Sequence, residues 1–496
     1  MTPLRACVIG AGPGGVAAAK VLIEDGFDVT VFDRYSEVGG IWGAGRCYTG
    51  LHNQSVRGVF EYADLPNRLH MAGAADTRRY IEEYAARFGV LERTRFSTDV
   101  VSVRSDGPGW AITTRPVSGT GGDSDHAFEY VVVASGAHHH PYIPDLPDRD
   151  CFEGTVLHAN EVVDPAALEG RRVIVVGGGK SALDLSLLAA RHGTAATSVQ
   201  RRVNWFVPER IVFGRLTYDR ILLTRLGEAF LPTYHAASVV RPLDRMPAGV
   251  KRAVWRMIGW DLLRSGGLDR LPEHVRPRGE LPVALAHTGV MPAEWAPAVA
   301  DGRIEVKVAA LAGYSPKGLV LAGGNEVQGD VIVFATGHRK VFPFLDPGIT
   351  IHDGAGRLRL YQGIAVPGVP HLGFIGLRQI FNNVLGMEIS AHWLSSYFQH
   401  ALRPMPGREQ MELAIDSRLA WQERVLPGSM GYDFAAYDIH CVDELMQEMG
   451  LTPYRTGNPV SEWLLPAAVG RRYANLSPER REAINSVRKK AAGGEA

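Results

Sequence analysis

A glycine-rich turn near the amino terminus carries residues whose types and spacing are typical of phosphate binding. In GAGPGG, residues Gly10, Gly12 and Gly15 form a G-x-G-x-x-G pattern. In such turns the first glycine allows the tight turn, the second lets the backbone approach a pyrophosphate, and the third lets the following helix pack on the strand. Asp33 ends the next apolar segment, about 20 residues after the glycines, where an acid hydrogen-bonds a ribose hydroxyl. The pattern predicts a dinucleotide site.

A second turn, GGGKSALD (177–184), repeats the pattern with Gly177 and Gly179. Its GKS tripeptide is similar to the end of a nucleotide-triphosphate loop. That loop also needs a glycine five positions before Gly179, and Ile174 stands there, so the sequence does not fit one. Lys180 and Ser181 lie at the predicted start of a helix, whose amide groups favour phosphate. The turn therefore predicts a second dinucleotide site, with these two side chains as phosphate contacts.

The segment after the second turn ends in two arginines rather than an acid. Arg201 and Arg202 occupy the position that corresponds to Asp33 in the first unit. An arginine there suits the 2′-phosphate of NADP better than the bare hydroxyl of NAD. The alternative is that both are solvated surface residues. The sequence predicts FAD at the first turn and NADPH at the second.

The composition narrows the class of protein. Among 496 residues, 53 basic side chains balance 53 acidic ones, which argues against a nucleic-acid partner. The four cysteines are scattered without a C-x-x-C pair, which favours a reducing compartment and disfavours a thiol-dependent reductase. With no leader and no long apolar run, we expect a cytoplasmic protein without a membrane partner. Three adjacent histidines (138–140) point in alternating directions in an extended segment, so we expect no metal site.

The order of apolar segments predicts an α/β fold with two dinucleotide-binding (Rossmann-like) domains. The NADPH domain is inserted in a discontinuous FAD domain, and it carries a helical insertion at about 214–283. The insertion shows helical spacing of apolar residues and is rich in arginine and leucine, so it forms either a small buried subdomain that shapes the substrate pocket or a membrane or partner surface. The predicted boundaries are 1–150 and 329–450 for the two parts of the FAD domain, 151–328 for the NADPH domain and 451–496 for a carboxy-terminal extension.

Several stretches together resemble the flavin-containing monooxygenases. They are GAGPGG, EVGGIW (37–42), FEGTVLH (152–158), GGGKSALD, FATGH (334–338) and LYQGIAVP (360–367). The resemblance covers residues 4 to 400 and implies an enzyme in which NADPH reduces FAD and O2 then forms a C4a-(hydro)peroxyflavin. Such an adduct oxygenates a nitrogen or sulfur of a small-molecule substrate, for example a biosynthetic intermediate. The sequence does not determine the oligomeric state, although the carboxy-terminal tail could serve a homodimer.

The resemblance also implies site residues. Asn53 and Gln54 stand where the family has an asparagine that holds the flavin adduct or nicotinamide, so both are candidate catalytic residues. The flavin-side acid is Asp33 where glutamate is frequent. The further candidate cofactor contacts are Arg34, Gly40, Trp42, Gln54, Val100 and Gln379.

Two alternatives to oxygenation of nitrogen or sulfur stay open. The fingerprint around FEGTVLH usually closes with an aromatic residue, and Val162 stands there. In related Baeyer–Villiger enzymes, which act on ketones, the fingerprint ends H-x-x-x-W-P, and VVDP (162–165) lacks the tryptophan. A non-oxygenating NADPH oxidase or reductase is the other alternative. For His158, a structural role is favoured over a catalytic one.

Overall fold

The computed structural model describes residues 4–231, 234, 246–278, 281, 289–378, 380, 383–425, 438–467 and 469–493. The strands are β1 (Arg5–Ile9), β2 (Asp28–Phe32), β3 (Thr94–Arg95), β4 (Thr98–Asp106), β5 (Gly109–Pro116), β6 (Ser124–Phe128), β7 (Tyr130–Val133), β8 (His140–Pro141), β9 (Thr155–His158), β10 (Arg172–Val176), β11 (Ala195–Gln200), β12 (Val207–Pro208), β13 (Arg210–Ile211), β14 (Leu216–Thr217), β15 (Val290–Met291), β16 (Glu305–Val308), β17 (Leu311–Ser315), β18 (Gly318–Leu321), β19 (Glu326–Gln328), β20 (Val331–Phe334), β21 (His338–Arg339) and β22 (Leu372–Phe374).

The helices of the same residues surround these strands. They are α1 (Pro13–Glu24), α2 (Ala74–Arg87), α3 (Lys180–His192), α4 (Asp219–Leu222), α5 (Arg225–Glu228), α6 (Ala248–Ser265), α7 (Trp295–Ala300), α8 (Asn383–Phe398), α9 (Arg408–Val425), α10 (Asp438–Glu448), α11 (Pro459–Leu464) and α12 (Leu476–Gly493). Short 3-10 turns connect several of them. Among the described helices, none is both long and apolar enough to cross a membrane.

The first sheet has five parallel strands in the order β22-β7-β1-β2-β3. Its central strands are continuous apolar runs because both faces are covered, as is usual for parallel sheets. Helices α1 and α8 pack together within the largest apolar cluster, which contains Val8, Val31 and Trp393. The antiparallel strands β4, β5 and β6 contribute to a second cluster with β7 and β22. The first glycine turn joins β1 to α1 in this unit.

The second sheet also has five parallel strands, in the order β16-β11-β10-β20-β9. Two parallel sheets, each with a glycine turn after a central strand, confirm the predicted α/β class. One strand differs from the expectation. The chain does not re-enter the first unit at residue 329, since β20 pairs with β10 and β9 and the chain rejoins the first sheet only at β22. A buried apolar run does not specify which sheet supplies its neighbours.

The chain crosses between the two sheets through two extended segments. The first follows β7 and contains β8, and the second follows β20 and contains β21. These two strands pair antiparallel, with His338 opposite Pro141 and Arg339 opposite His140. The outgoing and returning crossings are therefore hydrogen-bonded neighbours.

The segment from β12 to β15 (207–291), called the insertion from here on, has its own apolar cluster. Parallel pairing of β12 with β15 closes it at its base. Its cluster joins Tyr218, Trp255 and Leu262 to Val56 and Val59 of the first unit. Its described part contains short strands as well as helices α4, α5 and α6, whereas the sequence predicted helices alone. The insertion therefore rests on the loop that carries residues 53 and 54.

The carboxy-terminal helix α12 packs back on the first unit. Arg480 is 1% exposed, and its guanidinium donates to Asp25, at the end of α1, and to His392 of α8. Leu476 and Ile484 of the same helix are also buried. Helix α12 is thus part of the core that supports the first sheet.

Candidate active site

A single cavity of about 900 Å³ lies where the two glycine turns meet. The first turn contributes Gly10 and Gly12 to its wall, and the second contributes Gly179, Lys180 and Ser181. Both turns follow the carboxyl ends of parallel strands, which is where ligands bind in open α/β sheets. The sequence predicts the two turns separately, and the structure brings them to one site.

The glycines of the first turn have different physical requirements. Gly10 has φ +104°, and a Cβ there would lie 2.6 Å from the Ala134 carbonyl oxygen. A Cβ on Gly15 would lie 1.8 Å from the Gly10 carbonyl oxygen, so the helix packs on the strand only when residue 15 is glycine. Gly12 has no such clash, and its missing side chain leaves room on the cavity wall instead.

Asp33, the acid that follows β2, hydrogen-bonds the backbone of the first glycine turn. Asp33 is 5% exposed and lines the cavity. Its carboxylate accepts hydrogen bonds from the Ala11 N–H at 2.6 Å and the Tyr35 N–H at 2.8 Å. Burial raises the pKa of Asp33, and these two backbone bonds oppose that rise. The contact of Asp33 with a ribose stays a prediction.

Four more predicted flavin contacts line the same cavity, namely Arg34, Gly40, Trp42 and Val100. Gly15 and Gly177 are not among the lining residues, which agrees with a packing role for the former and a turn role for the latter. Gly177 has φ +144°, and a Cβ there would lie 2.4 Å from the Ala335 carbonyl oxygen. Gln379 lies outside the described residues.

The second turn presents a charged pair at the start of α3. The Lys180 ammonium is 2.5 Å from the Asp184 carboxylate, and the Tyr48 hydroxyl donates to the same carboxylate at 2.7 Å. Tyr48 and Lys180 both line the cavity. Lys180 is therefore already paired by an acid one helical turn away, and its contact with a phosphate stays a prediction.

The structure separates the two candidate amides. Asn53 is buried away from the cavity, and its amide donates to the Thr77 hydroxyl while accepting from the Ser55 N–H. Gln54 lines the cavity, and its side-chain oxygen accepts the Val290 N–H at 2.6 Å. Of the two, only Gln54 lines the cavity, and its contact with a cofactor stays a prediction. The sequence could not distinguish neighbours that turn in opposite directions in a loop.

The two arginines after β11 do not reach the cavity wall. Arg201 and Arg202 are exposed, and neither belongs to the residues that line the cavity. They remain close to the second turn, because the Arg202 carbonyl oxygen lies 3.4 Å from where a Cβ of Gly178 would stand. Their contact with a 2′-phosphate stays a prediction.

Histidines from both crossings gather at one side of the cavity. The lining includes His138, His139, His140, His158 and His338. The His158 Nε2 donates to the Gly337 carbonyl oxygen at 3.0 Å, and its Nδ1 accepts the Asn160 N–H at 3.3 Å. Both ring nitrogens are used, so His158 joins β9 to the returning crossing. Within the described part of the chain, no group of three or more His, Cys, Asp or Glu side chains is arranged to hold a metal ion.

Arg46 and Tyr48 are two of the cavity residues that the sequence-based prediction missed. The Arg46 guanidinium lies 3.8 Å above the Tyr35 ring and donates to the Gly40 carbonyl oxygen. Tyr48 links the first unit to α3 through Asp184. Both lie in GRCYTG (45–50), which matches no motif, and only the fold places them at the cavity.

The residues present fit two dinucleotides. At both turns the second glycine faces the cavity, and a Cβ there would fill the space that a pyrophosphate needs. Two such turns on separate parallel sheets, opening on one cavity, are the arrangement of a protein that binds two dinucleotides.

Comparison with known proteins supports a resemblance to one family. A family model described as flavin-binding monooxygenase-like matches residues 4–244. The probable flavin-containing monooxygenase 1 of Arabidopsis thaliana is 28% identical over 523 residues, which cover 94% of this chain and 95% of that protein. The resemblance to the flavin-containing monooxygenases is thereby confirmed, and the comparisons support an enzyme that uses FAD and NADPH as cofactors.

Other similar proteins differ in their named chemistry. The dimethylaniline monooxygenase (N-oxide-forming) 2 of Oryctolagus cuniculus is 26% identical over 475 residues, covering 90% of this chain and 83% of that protein. A crystal structure of cyclohexanone monooxygenase with bound ε-caprolactone has a TM-score of 0.65 at 19% identity, covering 90% of this chain and 97% of that chain. The latter likeness is one of fold.

Proposed function

We propose that this enzyme uses NADPH and O2 to oxygenate a nitrogen or sulfur atom of a small molecule. Bound FAD supplies the redox chemistry, since it accepts a hydride from NADPH and activates O2. The protein binds both dinucleotides, orients them and keeps water from the reacting centre. The observation that carries the proposal is the single cavity shared by both glycine turns, with the Gln54 side chain on its wall.

The end of the fingerprint favours nitrogen or sulfur over a ketone. Val162 stands where Baeyer–Villiger enzymes have a tryptophan, and it is fully buried. Its carbonyl oxygen accepts the Thr49 N–H at 2.9 Å, so the position serves the contact between the two units. A small aliphatic core residue offers no indole to the cavity. The relative named for N-oxide formation supports the same chemistry.

Product analysis tests the proposal. The purified enzyme with NADPH and O2 is given a tertiary amine, a thioether and a cyclic ketone in separate reactions, and products and hydrogen peroxide are quantified against NADPH consumed. We expect an N-oxide or sulfoxide. A lactone from the ketone alone would support the Baeyer–Villiger alternative, and peroxide equal to NADPH with every substrate would support the oxidase alternative.

The preference for NADPH is proposed to depend on Arg201 and Arg202. A charge-assisted hydrogen bond contributes about 1.5–3 kcal/mol, which corresponds to roughly 10- to 100-fold in affinity. The double variant Arg201→Gln with Arg202→Gln is expected to lower kcat/KM for NADPH by about that factor, while kcat/KM for NADH changes little. Steady-state kinetics with both nucleotides measure this. Equal losses for both would remove the arginines from nucleotide selection.

We further propose that the enzyme acts in the cytoplasm and forms a homodimer. Cys7, Cys47, Cys151 and Cys441 are all free thiols, which is typical of a reducing compartment. Light scattering of the holoenzyme at several concentrations tests the dimer, and a monomer mass throughout would contradict it.

A further inference from the structure

The insertion holds the main chain of Gln54 through a hydrogen bond. The Tyr218 hydroxyl donates to the Gln54 carbonyl oxygen at 2.8 Å. Tyr218 is fully buried, in the cluster that joins the insertion to Val56 and Val59. A buried donor in a packed cluster has little freedom, so it fixes the position of the peptide that carries the Gln54 side chain.

The insertion also holds the Gln54 side chain. The Val290 N–H donates to Gln54 Oε1 at 2.6 Å, and β15 places this N–H because it pairs with β12. Only the oxygen of an amide accepts a main-chain N–H, so this bond decides which end of the side chain is the oxygen. The Gln54 NH2 group consequently lies on the side of the amide away from Val290. The amide is oriented by a residue more than two hundred positions along the chain.

The room for this arrangement depends on one glycine. A Cβ added to Gly289 would lie 2.5 Å from Gln54 Oε1 and 3.4 Å from the Lys180 Cβ. No positive φ is needed at this position, so space rather than backbone conformation requires glycine. Gly289 thus lets the Gln54 amide fit between β15 and the start of α3.

We propose that Tyr218, Gly289 and the Val290 N–H form a clamp, called the Gln54 clamp, which presents the Gln54 NH2 group to the cofactors in the cavity. Tyr218 and Gly289 are then positioning residues, which act on the reaction through Gln54. The inference rests on the proposed function, since it assigns the insertion a part in keeping NADPH oxidation coupled to oxygen transfer. The insertion of this enzyme is therefore a support for the reacting centre.

The test is a double-mutant comparison. Gly289→Ala is made in the natural background and in Gln54→Ala, and peroxide released per NADPH is measured with a substrate that the product analysis identifies. In the natural background we expect the peroxide fraction to rise several-fold, because the new methyl group displaces the amide. In the Gln54→Ala background the same change is expected to add nothing. Gly249→Ala is the matched control, since a Cβ there meets nothing within 4 Å.

A second variant and a second readout keep the test decisive. Tyr218→Phe removes the hydroxyl that contacts the Gln54 main chain and adds no volume. It is also expected to raise the peroxide fraction, so it replaces Gly289→Ala if that variant does not fold. The absorption spectrum of the bound flavin during titration with NADP+ gives a readout independent of turnover, and the Gln54 clamp predicts that Gly289→Ala alters it only when Gln54 is present.

The outcomes separate the two hypotheses. Equal effects of Gly289→Ala in both backgrounds, or no effect in either, would overturn the clamp. If the natural enzyme itself releases peroxide in full with every substrate, the proposed function fails. The flavin absorption spectra recorded during the NADP+ titration then test the Gln54 clamp independently of the proposed function.

Discussion

At the scale of single residues, the two turns show that glycine serves three separate physical needs. Gly10 and Gly177 adopt positive φ against a neighbouring carbonyl oxygen. Gly15 allows contact between helix and strand, whereas Gly179 leaves free space on the cavity wall. The same residue type thus permits close packing at one position and leaves free space on the cavity wall at another.

This difference predicts opposite outcomes for two alanine variants. Gly15→Ala places a Cβ 1.8 Å from the Gly10 carbonyl oxygen, so we expect a lower thermal midpoint and loss of bound FAD. Gly179→Ala meets no atom within 4 Å, so its thermal midpoint is expected to stay unchanged while KM for NADPH rises at least tenfold. Differential scanning fluorimetry and steady-state kinetics measure the two effects. Loss of stability in Gly179→Ala would contradict the assignment.

The glycines and Asp33 were predictable because their spacing reflects a local requirement of the turn. Gln54 and Tyr48 were less accessible, since their orientation depends on partners such as Val290 and Asp184 that are distant in sequence. Lys180 shows most clearly what a sequence motif does not predict. Its place at the start of α3 follows from the motif, but its pairing with Asp184 follows from side-chain geometry.

At the scale of elements, the two crossings bring several histidines together beside the cavity. His338 of β21 accepts the Asn160 side-chain amide at 3.0 Å and lies against His138 and His158. Burial, together with the neighbouring histidines, lowers the pKa of His338 to about 3. Burial likewise lowers the pKa of His139 to about 4. The imidazoles of His338 and His139 are therefore neutral in the folded protein near pH 7.

The neutral histidines predict how stability depends on pH. An unfolded histidine has a pKa of about 6.5, so between pH 6.5 and the folded value the unfolded chain binds protons that the folded chain does not. The contribution of His338 is complete above pH 6.5 and is lost as the pH falls towards 3. We expect the thermal midpoint of the natural protein to fall more steeply between pH 7 and 5 than that of His338→Gln.

The control for this comparison is His274→Gln, which changes an exposed histidine of the insertion. Its midpoint is expected to follow the natural protein across the same pH range. Identical slopes for the natural protein and His338→Gln would show that His338 is protonated as easily in the folded state as in the unfolded state.

At the scale of the whole molecule, the carboxy-terminal helix is tied to the first sheet by a buried charge pair. Arg480 and the Asp25 carboxylate are both almost fully buried. Removal of one member of such a pair costs about 3–5 kcal/mol, because the other charge is left without compensation. Arg480→Met is therefore expected to lower the thermal midpoint strongly and to release FAD on heating at a lower temperature.

The neighbouring Arg481 provides the control, since its side chain is exposed. Arg481→Met is expected to change stability by no more than about 0.5 kcal/mol. Thermal unfolding monitored by flavin fluorescence measures both variants. Equal midpoints for the two would show that helix α12 is not part of the folded core.

The architecture was predictable where local patterns decide it. Two strand–glycine–helix units fix two parallel sheets, and the family motifs fix their order along the chain. The assignment of β20 was wrong because an apolar strand of four residues fits either sheet, and only the pairing with β10 and β9 decides between them. The Arg480–Asp25 pair was likewise beyond prediction, since its members are separated by almost the whole chain.

The pairing of β8 with β21 has an evolutionary consequence. The second unit begins and ends at adjacent points of the first, as His140 faces Arg339 across the pair. A unit with adjacent ends enters a host chain at a single site and displaces no host strand. The second unit is thus connected to the rest of the chain at one place, and chimaeras joined at these two strands test whether coenzyme preference is transferred with it.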